Sequence, residues 1–272
     1  GKLMSYRHID NLYKNQEIML FRECYAMEKI HGTSTHISWD AGCTEAKLDF
    51  FSGGLNHDLF VSLFNIERLA ALIAALGDKV VVFGEGYGGK CQGMSRVYGK
   101  DTKFVAFEVK IGDSWLNVPS AEEVVKSLDL EFVHYVKIPT EVAAIDAERD
   151  ALSVQAKRNG MGDHPREGIV LRPLIELYKN NGERIAAKHK TDVYKETKTP
   201  RVLDPEKQQI LDDADAIAEE WVTEMRLQHI MDKIEQPCIE KMGDILRAVV
   251  EDIAREAAGE IVDSKEAHKA IS

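Results

Sequence analysis

The sequence changes character once, near Pro200, and this change constrains the possible folds more than any other feature. Before it, short runs rich in β-branched and aromatic residues alternate with glycine-containing breaks, a pattern typical of strands joined by turns. After it, apolar residues recur at helical spacing and no strand-like alternation occurs. We therefore predict an α+β domain over residues 1–200, followed by a small all-helical C-terminal domain over residues 201–272.

Two kinds of periodicity predict the elements of the first part. Strand-like runs lie at residues 35–39, 47–51, 79–83, 103–109, 167–173 and 184–190. Apolar residues three or four apart predict helices over residues 65–76 and 120–128, the second opening on a Ser-Ala-Glu-Glu capping pattern.

The net charge of −11 at first argues against a nucleic-acid partner, because phosphate binding requires basic surface. Residues 201–272, however, hold 18 acidic and 9 basic residues, whereas residues 1–200 hold 28 acidic and 26 basic ones. The excess acid therefore lies mainly in the helical part, and the first part has the composition to carry a local basic surface.

Composition also bears on the compartment. The longest apolar run in the first third covers residues 69–76, far short of the roughly 20 residues that a membrane span needs. The four cysteines (Cys24, Cys43, Cys91 and Cys238) have neither zinc-ribbon spacing nor the density of a disulfide framework. We expect a reduced, cytoplasmic monomer with no membrane partner, in the host cytoplasm if the source is viral.

A glycine-rich stretch, residues 84–89, matches the GxGxxG pattern and, with Lys90, comes close to a Walker A loop. The residues after it lack the apolar period of the helix that either motif requires, and Cys91 stands where a Ser or Thr would hold magnesium. We interpret these glycines as a tight turn or a close approach of the backbone instead.

Five stretches concentrate residues that can do chemistry. In chain order they are residues 27–34, 83–86, 104–109, 166–172 and 185–190. The first places Lys29 at a strand end before a glycine turn. The last places Lys188 and Lys190 two apart, hence on one face of a strand.

As a set and in this order, the five stretches resemble the motifs of the covalent nucleotidyltransferase superfamily. Within it they are similar to the T4 RNA ligase 2-like family of ATP-dependent RNA ligases, because Lys-Ile-His-Gly-Thr at residues 29–33 is the form of the nucleophile motif characteristic of that branch. The resemblance covers about residues 20–190. It implies an antiparallel-sheet nucleotidyltransferase (adenylyltransferase) domain.

The resemblance further implies an enzyme that joins 5′-phosphate and 3′-hydroxyl RNA ends in RNA repair, with ATP as AMP donor and Mg²⁺ or Mn²⁺. Lys29 would be the nucleophile, Glu167 the metal ligand and His31 a residue of the later RNA steps. Lys188 and Lys190 would bind ATP and act at its α-phosphate. The other nucleotide-binding residues that it implies are Glu28, Ile30, Gly32, Ser34, Glu85 (at the ribose) and Phe107 (stacked on adenine).

Some features depart from the family pattern or leave alternatives open. Ser34 stands where the family commonly has Asn, and the family's arginine some twenty residues after the lysine has no match, Lys47 being the nearest cation. The RNA ends would be presented by a nicked duplex or by single strands. Two alternatives stay open: a self-adenylylating AMP transferase with a different acceptor, and a non-catalytic ATP-binding module.

Overall fold

The structure is a computed structural model that describes residues 6–42, 44–179 and 181–194. The chain divides into two units. The first contains the residues up to 8 together with 27–135 and 151–167, and the second contains 9–26, 136–150 and the residues from 168 onward. The boundary predicted near residue 200 and the helical domain predicted over 201–272 lie outside the described residues.

The described strands confirm an α+β architecture. They are β1 (Glu23–Lys29), β2 (Thr33–Asp40), β3 (Lys47–Phe51), β4 (Lys79–Gly88), β5 (Thr102–Ile111), β6 (Ser114–Trp115), β7 (Tyr135–Pro139), β8 (Gly168–Pro173) and β9 (Ala187–Lys190). The strand pairs β2–β3, β2–β4, β4–β5, β5–β6 and β8–β9 are all antiparallel.

The helices of the described residues are short. They are α1 (His57–Ser62), α2 (Ile66–Ala74), α3 (Ser95–Tyr98), α4 (Val118–Ser127), α5 (Val142–Arg149) and α6 (Val154–Arg158). Helix α4 begins at Val118 rather than at the predicted Ser120, because Asn117 accepts the Ser120 N–H and a proline occupies the first turn. None of these helices combines the length and apolar composition needed to cross a bilayer.

The first unit is built on a five-stranded sheet in the order β3-β2-β4-β5-β6. Ile37, Val82 and Val109 lie side by side across β2, β4 and β5 and are fully buried. Helix α4 packs against β5 and helix α2 contacts β2. The sheet thereby has a dry core that fixes the positions of the side chains at its strand ends.

The glycine-rich stretch lies inside β4 and its end rather than in a phosphate-binding loop. β4 and β5 pair antiparallel out to Gly88 opposite Thr102, so neither a Rossmann nor a P-loop connection exists here. A Cβ on Gly84 would lie 2.4 Å from the Phe104 ring, and one on Gly86 would lie 2.4 Å from Leu55. These glycines admit close packing against one face of β4, as the close-approach interpretation predicted.

The second unit holds the four-stranded sheet in the order β7-β1-β8-β9, and β1 passes from this unit into the first between Ala26 and Met27. A buried charge cluster lies beyond β8, where Arg172 and Arg184 both donate to the Glu176 carboxylate. A buried carboxylate is stable only when it is paired in this way.

Candidate active site

The predicted nucleophile lies at the point where β1 ends. Lys29 is the last residue of β1, and a short turn leads to Thr33 at the start of β2. The Lys29 Nζ lies 3.5 Å from Oε2 of Glu167, and the two side chains are 24% and 3% exposed respectively. The amine is therefore accessible to a ligand while its carboxylate partner is buried.

The same carboxylate also contacts His31. The His31 Nδ1 lies 3.3 Å from Oε1 of Glu167, so one buried carboxylate bridges both functional side chains of the turn. The backbone N–H of His31 donates to the hydroxyl of Tyr98, at 3.1 Å. Tyr98 is fully buried, so this hydrogen bond ties the turn to the core of the first unit.

Gly32 is required by the closeness of β4 to this turn. A Cβ at Gly32 would lie 2.1 Å from the Gly86 carbonyl oxygen and 2.8 Å from the Tyr87 Cβ. Real Cβ atoms do not approach backbone so closely, so any side chain here would push β4 away. The close approach lets the Gly32 N–H donate to the carboxylate of Glu85.

Glu85 lies on β4, directly opposite Ser34 of β2. Burial raises the pKa of Glu85 to about 7, against the opposing effect of the nearby positive charge of Lys29. The negative charge of Glu167 raises the Glu85 pKa further, whereas the Gly32 N–H and His31 lower it. Lys29, His31, Glu85 and Glu167 therefore form one coupled group of charges.

The raised pKa predicts how stability depends on pH. An unperturbed glutamate has a pKa of about 4.3. Between this pH and about pH 7 the folded protein binds the Glu85 proton more tightly than the unfolded chain does. Raising the pH through this window therefore lowers the free energy of unfolding. Glu85→Gln removes this dependence. Denaturant unfolding at pH 5 and pH 8 should show the variant gaining stability relative to wild type at the higher pH. An equal difference at the two pH values would contradict the raised pKa.

Glu28 and Ile30 flank the nucleophile and are both buried. The Glu28 carboxylate accepts the Ser153 hydroxyl and the Val154 N–H, each at 2.7 Å, and the Gln155 N–H at 3.2 Å. These donors form the first turn of α6, where a carboxylate also interacts favourably with the helix dipole. The Glu28 side chain thus anchors the end of β1 to α6.

Loss of this anchor should destabilise the fold. Glu28→Ala leaves the buried donors at the start of α6 without their acceptor, and we expect the free energy of unfolding to fall by about 3 kcal/mol, in the range for breaking buried charge-assisted hydrogen bonds. Chemical denaturation measures this value. Glu123→Ala, which removes an exposed carboxylate from α4, is the control and should change stability by less than about 0.5 kcal/mol. Equal effects of the two variants would contradict the anchoring role.

Phe107 owes its position to an irregularity in the sheet. The β4–β5 register shifts between Phe83 and Gly84, so that Phe83 faces Glu108 and Gly84 faces Ala106. Phe107 is the extra residue of this bulge, a device that re-aims a side chain out of strict alternation. It is half-buried and packs edge-on against Tyr6, with ring centroids 5.3 Å apart.

The two predicted phosphate-binding lysines lie in the second unit. Lys188 and Lys190 are both half-buried on one face of β9, which confirms the shared face predicted from their spacing. The residue between them, His189, is buried on the opposite face, where its Nε2 lies 2.9 Å from Asp146 Oδ1 and 2.8 Å from Arg149 Nη1. These contacts hold β9 in place on the face opposite the two lysines.

Sequence reasoning missed Tyr98 and Tyr6. Tyr98 supports the nucleophile turn, and Tyr6 donates a hydrogen bond to Glu108 and packs against Phe107. Neither lies in a recognised motif. The only signal for Tyr98 was an aromatic residue inside a glycine-rich, polar stretch, where a large apolar ring indicates a buried contact.

The first unit therefore gathers an amine, an imidazole and two carboxylates at one strand end. The described residues contain no cluster of three or more His, Cys, Asp or Glu side chains that would bind a metal by themselves. Magnesium, however, usually takes one or two carboxylates and completes its shell with phosphate oxygens and water. Glu167, beside Lys29, fits that mode of binding. Chemically, the arrangement suits attack of a lysine amine on a phosphate that a metal has neutralised.

Comparison with known proteins finds solved structures of similar fold. No curated protein matches the chain. Among solved structures, a lysine-to-methionine variant of the Naegleria gruberi RNA ligase with AMP and Mn is 15% identical, with a TM-score of 0.55 over 71% of this chain and 58% of that one. A lysine-to-alanine variant of the same ligase with ATP and Mn gives the same identity, coverages and TM-score. The complex of that ligase with pyrophosphate gives a TM-score of 0.53, again at 15% identity and with 71% and 58% coverage.

At this identity the structural likeness shows the fold alone, and this chain spans less than two thirds of the Naegleria ligase chains. The family is shown by a second comparison. The model of the RNA ligase family matches residues 22–190, which hold every site residue described above except Tyr6. Because this match covers well over half of the sequence, the chain belongs to the RNA ligase family of nucleotidyltransferase enzymes.

Proposed function

We propose that the protein is an ATP-dependent RNA ligase of the T4 RNA ligase 2-like branch that seals 5′-phosphate and 3′-hydroxyl RNA ends in RNA repair. The observation that carries the proposal is the Lys29 amine at 3.5 Å from the buried Glu167 carboxylate, with His31 on the other oxygen of that carboxylate. The motif Lys-Ile-His-Gly-Thr at residues 29–33 supports the branch.

In the first step Lys29 Nζ attacks the α-phosphorus of ATP. The N–P bond forms, the bond from the α-phosphorus to the bridging oxygen breaks, and pyrophosphate leaves with the electron pair, while the amine gives up its proton. In the first unit the Lys29 Nζ is paired with the Glu167 carboxylate. Only the free amine is a nucleophile, so this ion pair must open before the N–P bond forms.

Glu167 is also the residue that would hold the metal ion. A divalent cation held by Glu167 and the substrate phosphates would contribute positive charge at the α-phosphate. Glu85, on the opposite side of the turn, would orient the nucleotide through its ribose. Phe107 would stack on adenine, a contact worth roughly 1–3 kcal/mol.

The later steps pass the AMP group onward. An oxygen of the RNA 5′-phosphate attacks the phosphorus of lysyl-AMP, the N–P bond breaks, and Lys29 recovers its proton. The RNA 3′-hydroxyl then attacks the 5′-phosphorus, a phosphodiester forms and AMP leaves. His31 contacts Glu167, the carboxylate that also contacts the Lys29 amine, and would serve these RNA steps. Lys188 and Lys190 would bind the α-phosphate, and we place both lysines in the ATP-binding set.

One assay in two stages tests the proposal. The full chain is incubated with α-labelled ATP and Mg²⁺ or Mn²⁺, and the labelled protein is then given 5′-phosphorylated RNA, either as a nicked duplex or as single strands. Label on the protein followed by sealed RNA supports the ligase, and the two substrates show which arrangement of ends it uses.

The remaining outcomes contradict the proposal in distinguishable ways. Label on the protein without transfer to RNA indicates a self-adenylylating transferase with another acceptor. Binding of ATP without covalent label indicates a non-catalytic nucleotide-binding module.

A further inference from the structure

The segment between β4 and β5, residues 89–101, is a tightly closed loop beside the nucleophile turn. The Gly89 N–H donates to the Gly99 carbonyl at 2.9 Å, and the Tyr98 N–H donates to the Met94 carbonyl at 3.0 Å. The two ends of the loop are therefore held together, which brings Lys90 and Lys100, the residues next to Gly89 and Gly99, into the same neighbourhood.

This loop carries an unbalanced positive charge. Lys90, Arg96 and Lys100 are all exposed, and Asp101 is the single acidic residue in the segment. In the part of the chain that the structure describes, no carboxylate lies within ion-pair distance of these three cations. Other exposed lysines of the first unit do form such pairs, for example Lys126 with Glu122 and Lys157 with Asp163.

The loop is attached to the active site by side-chain contacts. The Tyr98 hydroxyl accepts the His31 N–H, and the Gln92 Nε2 donates to the Gly32 carbonyl at 3.4 Å. The Cys91 Sγ lies 3.7 Å from the Gly86 carbonyl oxygen, next to Glu85. Residues on both sides of the loop thus contact the turn that carries Lys29 and the strand that carries Glu85.

Hydrogen bonds hold the backbone of the loop at two further points. Gln92 has a φ of +55°, which an L side chain adopts only at some cost in energy. Its contact with the Gly32 carbonyl helps to hold this conformation. Asn159 donates to the Tyr98 carbonyl at 2.9 Å. The fully buried Tyr98 is therefore held by hydrogen bonds at its backbone carbonyl and at its side-chain hydroxyl. Cations on a backbone held in this way are already positioned to bind a polyanion.

We infer that Lys90, Arg96 and Lys100 bind the phosphodiester backbone of the RNA next to the ends that are joined. The inference rests on the proposed function and names the surface that the RNA uses. The net charge of residues 1–200 does not by itself attract RNA, because their 28 acidic and 26 basic residues nearly balance. A local group of cations is therefore needed, and these three lie on the loop whose Tyr98 and Gln92 contact the nucleophile turn.

The test is the triple variant Lys90→Ala, Arg96→Ala and Lys100→Ala in the full chain. Its affinity for a nicked RNA duplex and for single-stranded RNA is measured over a range of salt concentrations. Each phosphate contact contributes about 0.7 to 0.9 to the slope of log K against log salt. We expect the slope to fall in magnitude by about 2 and the affinity at low salt to fall at least tenfold.

The matched control is the triple variant Arg68→Ala, Lys79→Ala and Lys126→Ala. It removes the same three charges, two lysines and one arginine, from exposed positions on other elements of the first unit. The control should keep the wild-type slope. Lysine adenylylation, which needs no RNA, is followed in parallel as a check of folding and of the proposed function.

The outcomes distinguish a failure of the proposed function from a failure of the RNA-binding inference. Wild-type protein that forms no lysyl-AMP or seals no RNA overturns the proposed function. A wild-type slope in the loop variant, or an equal loss in the control, overturns the inference alone. If the loop variant fails to fold, acetylation of the wild-type protein decides: bound RNA should protect Lys90 and Lys100 but not Lys79, and equal labelling with and without RNA overturns the assignment.

Discussion

Lys29→Ala should form no covalent AMP adduct at all, because the variant lacks the only nucleophile that the proposed chemistry uses. The protein is incubated with α-labelled ATP and Mn²⁺ and analysed on a denaturing gel. The fold should persist, since the Lys29 side chain is partly exposed and, among the described residues, is ion-paired with Glu167 alone.

Two further variants make this result interpretable. Lys29→Arg keeps a positive charge beside Glu167 but offers no comparable nucleophile, so it should also lack the adduct while matching wild-type stability. Lys79→Ala, at the far end of β4 from Glu85, should be labelled like wild type. Label of wild-type intensity on Lys29→Ala would show that another residue is the nucleophile.

Glu167→Gln should slow formation of the adduct at least about 100-fold, because it weakens the binding of the metal ion whose positive charge would stabilise the transition state. The substitution keeps the shape of the side chain but removes the charge that lies between Lys29 and His31. We also expect a higher requirement for Mn²⁺, because a neutral amide is a weaker ligand than a carboxylate.

The rate of adenylylation is measured as a function of Mn²⁺ concentration for wild type and variant. Glu123→Gln, an exposed position on α4, serves as the control for loss of one negative charge. A Glu167→Gln protein with the wild-type rate and the wild-type Mn²⁺ requirement would remove Glu167 from the active site.

The sequence predicted four of the five strands of the first unit's sheet, β2 to β5, because their alternation is regular, and it missed the two-residue β6. β3 was predicted with its observed bounds, and β2 and β5 were each predicted within two residues of theirs. β4 was predicted to end at Phe83, yet it continues to Gly88. Glycines normally weaken strands, and here the packing of Leu55 and Phe104 against Gly86 and Gly84 accounts for them. That packing involves partners far along the chain, so no local pattern reveals it.

The short helices α1, α3, α5 and α6 were missed for a related reason. Four to eight residues are too few for a clear apolar period. Helix α6 owes its start to Ser153 and to Glu28, which lies 125 residues earlier. The β9 strand was predicted from residue 184 but begins at Ala187, because the backbone of Arg184 and Ile185 pairs with Tyr178 and Leu177 instead of continuing along β8.

The candidate site was predictable only in part. Spacing alone placed Lys188 and Lys190 on one face of a strand, and it suggested a lysine before a glycine turn. The meeting of Lys29 with Glu167 could not be derived from spacing, because the two residues are brought together by the whole fold of the first unit. The resemblance supplied that pair, whereas the supporting contacts of Tyr98 and Glu28 appear only in the structure.

The bulge at Phe107 makes the number of residues in β5 as important as their kinds. Phe107 is the one residue between Ala106 and Glu108, so deleting it would let β5 pair with β4 without interruption but would remove the aromatic ring. Substitutions that preserve an aromatic ring would leave this arrangement intact, whereas the deletion would leave Tyr6 without this ring contact. Chain length at this point is therefore under a constraint that side-chain chemistry alone does not express.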